Sequence, residues 1–216
     1  MNKNISRDFA HSYDSYSKEN HWTSPDILFD LCREYLNKDQ ILLDIGIGTG
    51  LSAEPFKNAG LTIYGLDNSE HMLDICRSKN IADKLQIYDL NDLPLPYPGQ
   101  KFDCIIANGV FHLTGCIEAH FHEIKRLLKK NGIFAFTIDV FLSENSTEYT
   151  STEISGEWLK INTEHNFKTY KHSVFYIGEL TKTVNFSILG FKDFCAFRSV
   201  TENREVHFRV YISQKN

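Results

Sequence analysis

The chain has no long apolar run. No stretch approaches the ~18 residues that a membrane-spanning helix needs, and Met1–Ala10 is polar, without the apolar centre of a secretion signal. A cytoplasmic location and no membrane partner are therefore expected. Cysteine is scarce: Cys32, Cys76, Cys104, Cys116 and Cys195 are odd in number, widely spaced and form no C-x-x-C pair. That pattern argues against a disulfide framework and a zinc knuckle, so reduced thiols and no metal site are expected. There is no excess of positive charge either. Lys and Arg number 23 against 28 Asp and Glu, a formal net charge of -5, whereas a phosphate-backbone partner demands a basic stripe. No nucleic-acid partner is expected, and the cluster Lys125, Arg126, Lys129 and Lys130 reads as the solvated face and cationic last turn of one helix. Trp (2) and Met (2) are few, but Phe (16) and Tyr (10) are abundant. That surplus points to an aromatic-rich core or an aromatic-lined pocket.

The 216 residues fit one domain, 1–216. From Gln40 onward, short apolar runs alternate with amphipathic stretches, the rhythm of strands and helices around a parallel sheet. Strands are expected at Ile41–Ile45, Thr62–Leu66, Leu85–Tyr88, Phe102–Ala107 and Ile133–Val140. Helices are expected at Leu51–Ala59, from a Ser69 cap to about Lys79, and over Cys116–Lys130, ended by Asn131–Gly132. Leu93–Gly99, with Pro94, Pro96 and Pro98, reads as a loop. Farther on, a helix over Ile177–Leu189 stopped by Gly190 precedes two strands, Phe191–Val200 and Val206–Ser213. The turn Thr201–Arg204 makes these an antiparallel hairpin. The expected fold is α/β: a Rossmann-like, doubly wound, mostly parallel seven-stranded sheet with a C-terminal antiparallel hairpin. Residues 1–39 form a helical cover, and the polar, irregular segment 141–176 is a substrate-facing lid or insertion.

The stretch Leu42-Leu43-Asp44-Ile45-Gly46-Ile47-Gly48-Thr49-Gly50 delivers an acidic residue and three alternate glycines from a strand into a helix. Glycines let the backbone turn tightly and approach a ligand, and the following helix N-terminus offers free amides. A dinucleotide fingerprint, G-x-G-x-x-G, needs Gly or Ala where Leu51 stands. D-x-G-x-G-x-G instead suits an adenosyl ligand with a positively charged amino-acid tail.

LLDIGIGTG, followed by YGLDNS-x-x-ML and FDCIIANGVFHL, resembles the class I S-adenosylmethionine-dependent methyltransferase family, in its small-molecule-type members. EIKRLLKKNGIFAFTI and HSVFYIGELTKTVNFSILGF are similar to later segments of that family. The resemblance implies S-adenosylmethionine as cofactor, with S-adenosylhomocysteine as product. It implies cofactor contacts for Asp44 and the Gly46, Ile47, Gly48, Thr49 and Gly50 turn. Asp67 would take the ribose hydroxyls, as a carboxylate able to accept two hydrogen bonds. Asn68 and Met72 would lie beside adenine, with Asp89 and the Leu90 amide on its amino group. Asn108 and Gly109 would meet the methionine part. FAHSYDSYSKENHW is similar to the helix that such members lay over the cofactor, which would bring Tyr13 or Tyr16 to the methionine carboxylate. Taken alone, Asp67 and Asp89 also read as turn or cap residues, and the tyrosines as ordinary packing. Enzymes of the family that methylate exocyclic amines of nucleic acid carry two prolines where Gly109 and Val110 stand, which disfavours that substrate.

Methyl transfer requires an aligned acceptor and, for O–H or N–H groups, removal of a proton. His112 in VFHL and His172 in KHS are the candidate catalytic residues, with cleft-wall and helix-flanking roles as the structural alternatives. Cys116 and His120, four apart on one expected helix, lack a third metal ligand. The expected activity is methylation of a small-molecule acceptor at O or N. A non-catalytic binder of the cofactor, or methylation of a protein or RNA, is the alternative. A nicotinamide-dependent oxidoreductase is disfavoured by Leu51 and by the antiparallel ending.

Overall fold

The computed structural model describes residues 6–139, 149–162, 167–199 and 204–216. Two helices open it, α1 (Arg7–Glu19) and α2 (Ser24–Cys32). Ser6 caps α1 by accepting from the Phe9 amide, and Pro25 stands in the first turn of α2, where a missing N–H costs nothing. Then follow β1 (Ile41–Ile45), α3 (Glu54–Asn58), β2 (Thr62–Asp67), α4 (Glu70–Ser78), β3 (Lys84–Ile87), β4 (Phe102–Ala107), α5 (Glu118–Leu127) and β5 (Leu128–Asp139). Three short strands come next, β6 (Thr150–Ser151), β7 (Glu157–Asn162) and β8 (Phe167–His172). The chain closes with α6 (Val174–Thr183), β9 (Phe186–Ser199) and β10 (Arg204–Lys215).

Seven strands form one sheet in the order β3-β2-β1-β4-β5-β10-β9. β3 to β5 pair in parallel, whereas β10 runs antiparallel to both β5 and β9. The strand order reverses between β1 and β4, so the carboxyl ends of these two strands face the crevice where such sheets take ligands. The expected fold class is the one found. No described helix is long and apolar enough to cross a membrane.

Each face of the sheet carries its own core. One cluster packs α5 and α6 through Phe111, Phe121, Phe134 and Phe136 with Tyr211; the other packs α2, α3 and α4 through Leu28, Phe56, Leu73 and Val210. Phe134 and Phe136 stack with centroids 4.6 Å apart, and Tyr211 stacks on Phe136 at 5.3 Å. Much of the aromatic surplus is therefore spent in the interior, where each buried ring contributes about 1.5–3 kcal/mol.

Several boundaries differ from the sequence expectation, each for a local reason. The helix expected over Leu51–Ala59 begins only at Glu54, because Gly50–Ala53 turns and Pro55 sits in the first helical turn. α5 stops at Leu127, so Lys129 and Lys130 are not on it with Lys125 and Arg126. They lie in an excursion of β5, where Phe102 faces Leu128 but Cys104 faces Ile133, with Asn131 at φ 60°. Lys129 pairs there with Asp103 at 2.8 Å, and Asp103 also accepts the Ile41 amide. The cluster is thus not one solvated helix face. The last helix ends at Thr183, stopped by the left-handed Asn185 and not by Gly190, which lies inside β9 opposite Ile212. The segment expected to be irregular forms an antiparallel sheet, β6-β7-β8, between β5 and α6. Val140, the 141–148 and 163–166 parts of the expected lid, Val200 and positions 201–203 of the expected Thr201–Arg204 turn lie outside the described residues.

Candidate functional site

The glycine turn leaves β1 at its carboxyl end. Gly46, Gly48 and Gly50 all have positive φ, 75°, 54° and 90°. At Gly50 a Cβ would stand 2.9 Å from the Ile81 side chain, so no larger residue fits. At Gly48 the same Cβ would meet nothing within 4 Å; that side of the turn is open. The turn is pinned by Gly46 and Ile47 amides donating to the Leu66 carbonyl and by the Gly48 amide donating to Asp67 Oδ2 at 2.9 Å.

Two carboxylates meet beneath this turn. Asp67 ends β2; its Oδ1 accepts the Ser69 amide at 2.9 Å, while burial raises its carboxyl above the ordinary range against the lowering effect of those amides. Asp44 lies in β1, almost wholly buried, with no hydrogen-bond partner for Oδ2 among the described residues. Burial first, then the charge of Asp67, pushes its carboxyl well up. A buried carboxyl held there without a partner is costly, and a cation is what would relieve it. Asn68 Nδ2 is a second buried polar atom at the same strand ends that has no partner among the described residues. Met72 is buried on α4, above the Ser69 cap.

The cover helix is fastened to the turn. Thr49 Oγ1 donates to Asp14 Oδ1 at 2.6 Å, and Lys79 pairs with the other oxygen of Asp14. Asp14 carries no motif in the sequence and was missed; only its position on α1, over Thr49, reveals it. Tyr13 beside it is raised by burial and, more weakly, by the charges of Asp14 and Asp67. Tyr16 is exposed and tilts against Phe197 with centroids 5.7 Å apart.

At the end of β4, Asn108 Oδ1 accepts from Ser24 at 2.6 Å and from Thr137 at 3.1 Å, and its Nδ2 donates to Ser52 at 2.9 Å. Thr137 in turn accepts the Gly109 amide at 2.8 Å. The Asn108 side chain and the Gly109 amide lock α2, the glycine turn, β4 and β5 together, and Gly109 also lines the cavity described below. Asp89 Oδ1 closes a turn on the Asn91 amide and side chain, and the Leu90 carbonyl takes His120 Nε2 at 3.1 Å. Asp89 and Leu90 lie beyond the end of β3, in the same row of strand ends as Asp67.

A cavity of about 330 Å³ adjoins this floor, within the usual size of small-molecule sites. Tyr13, Tyr16 and Trp22 from the cover and Phe197, Val206 and Phe208 from the terminal hairpin form its apolar walls. Gly109 and His112 lie at its base, and Asp139, Lys160, Thr169 and Tyr149 line the side next to the inserted sheet. Lys171 Nζ approaches Asp139 at 3.2 Å and the Tyr149 ring at 5.0 Å.

The two candidate histidines separate. His112 lines the cavity, with its ring 5.6 Å from Phe208, and burial pushes it down to about 4. His172 does not line it. It is 1% exposed, with Nε2 3.2 Å from the carbonyls of both Phe111 and Thr114 and Nδ1 3.6 Å from Glu157. Glu157 also accepts the Cys116 amide at 2.7 Å. These contacts fasten the inserted sheet to the turn that carries His112, so the expectation of His172 in the cleft is corrected. Cys116 has φ 51° and precedes α5, so it does not share a helix face with His120.

Residues 43–136 match the family described as a methyltransferase domain. The chain is 30% identical over 149 residues to a ubiquinone biosynthesis O-methyltransferase of Pelagibacter ubique (strain HTCC1062), covering 68% of this chain and 61% of that one. It is 25% identical over 130 residues to a malonyl-[acyl-carrier protein] O-methyltransferase of Yersinia pestis, covering 60% and 45%. A solved SAM-dependent methyltransferase from Methanosarcina mazei shares the fold with a TM-score of 0.69 at 16% identity, over 86% of this chain and 96% of that one.

Over residues 43–136 the chain is similar to the methyltransferase-domain family, and its fold is that of solved S-adenosylmethionine-dependent methyltransferases. The matched segments span less than two thirds of those two curated relatives. The family match covers the glycine turn, Asp67, Asp89 and Asn108, whereas Asp14, the inserted sheet and the hairpin wall lie outside it. The glycine turn and the strand-end carboxylates therefore lie in the matched part, and most of the cavity wall lies in the remainder.

Proposed function

We propose that the chain transfers a methyl group from S-adenosylmethionine to an oxygen or nitrogen of a small acceptor carrying a flat ring. The observation behind this reading is the position of Tyr13. It lines the aromatic cavity and also feels the charges of Asp67 and Asp14, so the acceptor space and the cofactor floor adjoin at one side chain. The residues fit the cofactor: the orphaned Asp44 carboxyl suits its cationic amino group, the open side of Gly48 admits a ligand, and Asp67 suits the ribose hydroxyls. Asn68 and Met72 would hold the adenine, Asp89 and Leu90 would meet its polar edge, and the Gly46–Gly50 turn would hold the methionine part. When bound, the cofactor supplies a methyl group activated on a sulfonium.

The remaining work belongs to this chain. Trp22, Phe197 and Phe208 exclude water and hold the acceptor ring in plane. His112, neutral because of its burial, is placed to accept a proton from the acceptor at a ring nitrogen. Tyr16 closes the outer edge.

Calorimetric titration with S-adenosylmethionine, S-adenosylhomocysteine and NADH tests the cofactor half. Micromolar binding of the two adenosyl ligands and none of NADH supports it; no adenosyl binding removes it. A transfer assay with ring-bearing phenols and amines, against protein and RNA acceptors, tests the acceptor half.

A further inference from the structure

The terminal hairpin carries a mixed donor cluster on its other face. Cys195 Sγ, a Glu205 carboxylate oxygen and a His207 ring nitrogen all lie within 4.8 Å of one another. An irregularity in the β9–β10 ladder creates this grouping. Phe197 faces Val206, but the next residue of β10, His207, faces Cys195, so β9 accommodates Ala196 as an extra residue. Phe197 and Val206 thereby stay on the cavity wall while Cys195 is set directly across from His207. Glu205 precedes His207 by two residues and so shares its face of β10. Its Oε1 is held by Arg198 at 2.6 Å, and its Oε2 lies 3.2 Å from His207 Nε2. The set is accessible: Glu205 is exposed, while Cys195 and His207 are half-buried.

We propose that Cys195, Glu205 and His207 bind a thiophilic divalent cation of the zinc class. One thiolate, one imidazole and one carboxylate with a fourth position left for water is a donor set such ions take. Tetrahedral ligands stand about 3.5 Å apart, so closing the cluster needs only side-chain rotation of roughly 1 Å. Binding replaces the Cys195 thiol proton, released to solvent, by a metal–sulfur bond. His207 contributes the Nε2 lone pair, its hydrogen moving to Nδ1, and Glu205 contributes Oε2 while Oε1 keeps Arg198. Thiolate and carboxylate together balance the dication. Because Val206 and Phe208 alternate with these ligands along β10, the cation would fix the hairpin rungs that wall the cavity.

The test is Co2+ titration of chelator-treated, reduced protein, followed by absorbance. One equivalent with a thiolate-to-cobalt charge-transfer band is expected. Cys195→Ser should remove the band, and His207→Gln and Glu205→Gln should each weaken Co2+ at least tenfold. Cys116→Ser, at an exposed thiol elsewhere, should change nothing. Melting curves of the metal-free variants separate lost folding from lost ligation, and the exposed Glu205 keeps one ligand variant free of that concern. Absence of the band in the wild-type protein, its persistence in Cys195→Ser, or equal Co2+ affinity of Glu205→Gln and wild type would overturn the assignment.

Discussion

Thr49 in the glycine turn donates its hydroxyl to Asp14 of the cover helix at 2.6 Å, and Lys79 holds the other oxygen of the same carboxylate. One acidic side chain thus ties three parts of the chain, α1, the turn after β1 and the end of α4. Asp14→Ala should free α1 and weaken S-adenosylmethionine binding by up to about 1.5–3 kcal/mol, the usual worth of a hydrogen bond to a charged group. Hydrogen exchange over 7–19 should accelerate in the variant. Unchanged exchange and affinity would show that the tie is idle.

Asp67→Ala should weaken S-adenosylmethionine by about 1–3 kcal/mol through lost ribose contacts. It also strips the Gly48 and Ser69 amides of their acceptor, so loss of affinity should be accompanied by a lower melting temperature. Calorimetry and melting on the same sample separate the two effects.

Asp44 gives a prediction of opposite sign for stability and affinity. Its carboxyl is raised in the folded chain, so its contribution is favourable below the ordinary carboxyl range and is lost as pH rises through the raised value. Asp44→Asn should therefore stabilise the ligand-free protein at neutral pH by about 1–2 kcal/mol, the cost of an uncompensated buried polar group. The same change should weaken S-adenosylmethionine and abolish any rise of affinity with pH. A destabilised Asn variant would contradict the assignment.

His112→Ala should lower turnover at least tenfold and leave cofactor affinity nearly intact. With His112 held down to about 4, the base form is present at neutral pH and is lost only as pH falls through about 4. The acidic limb of the rate profile should therefore lie well below the ordinary imidazole range. A limb near 6.5, or a collapse of cofactor affinity in the variant, would place His112 in another role.

His172→Ala should lower stability by about 2–4 kcal/mol, since it opens a buried polar network and leaves Glu157 without its neighbour. Cofactor affinity should survive. Rescue of turnover by His172→Gln, which keeps a donor for the Phe111 and Thr114 carbonyls, would distinguish a fastening role from a chemical one.

What the sequence disclosed was local. The apolar run ending at Gly46, the Ser69 cap and the Phe102–Ala107 strand need only neighbouring residues to be recognised, and all three stand where expected. Asn185 shows where local reading fails: Gly190 offers the commoner helix stop, yet a left-handed Asn five residues earlier takes the role. Asn108 shows a second limit of local reading. Its partners Ser24, Ser52 and Thr137 are 84, 56 and 29 residues away, so nothing near it in the chain announces that its side chain is spent. His172 and Glu157 are likewise joined only by the folding of a polar segment into a small antiparallel sheet, whose alternation is too weak to read against its charged residues.

The inserted sheet lies between β5 and α6 in the chain. Its hydrogen bonds to the segment after β4 run from His172 to the Phe111 and Thr114 carbonyls and from the Cys116 amide to Glu157, so all three partners there are main-chain groups. Contacts to main chain do not depend on which side chains the parent domain carries. The groups that fasten the segment there are consequently distinct from its cavity-facing positions Lys160 and Thr169, so the cavity side can be altered without removing these three hydrogen bonds.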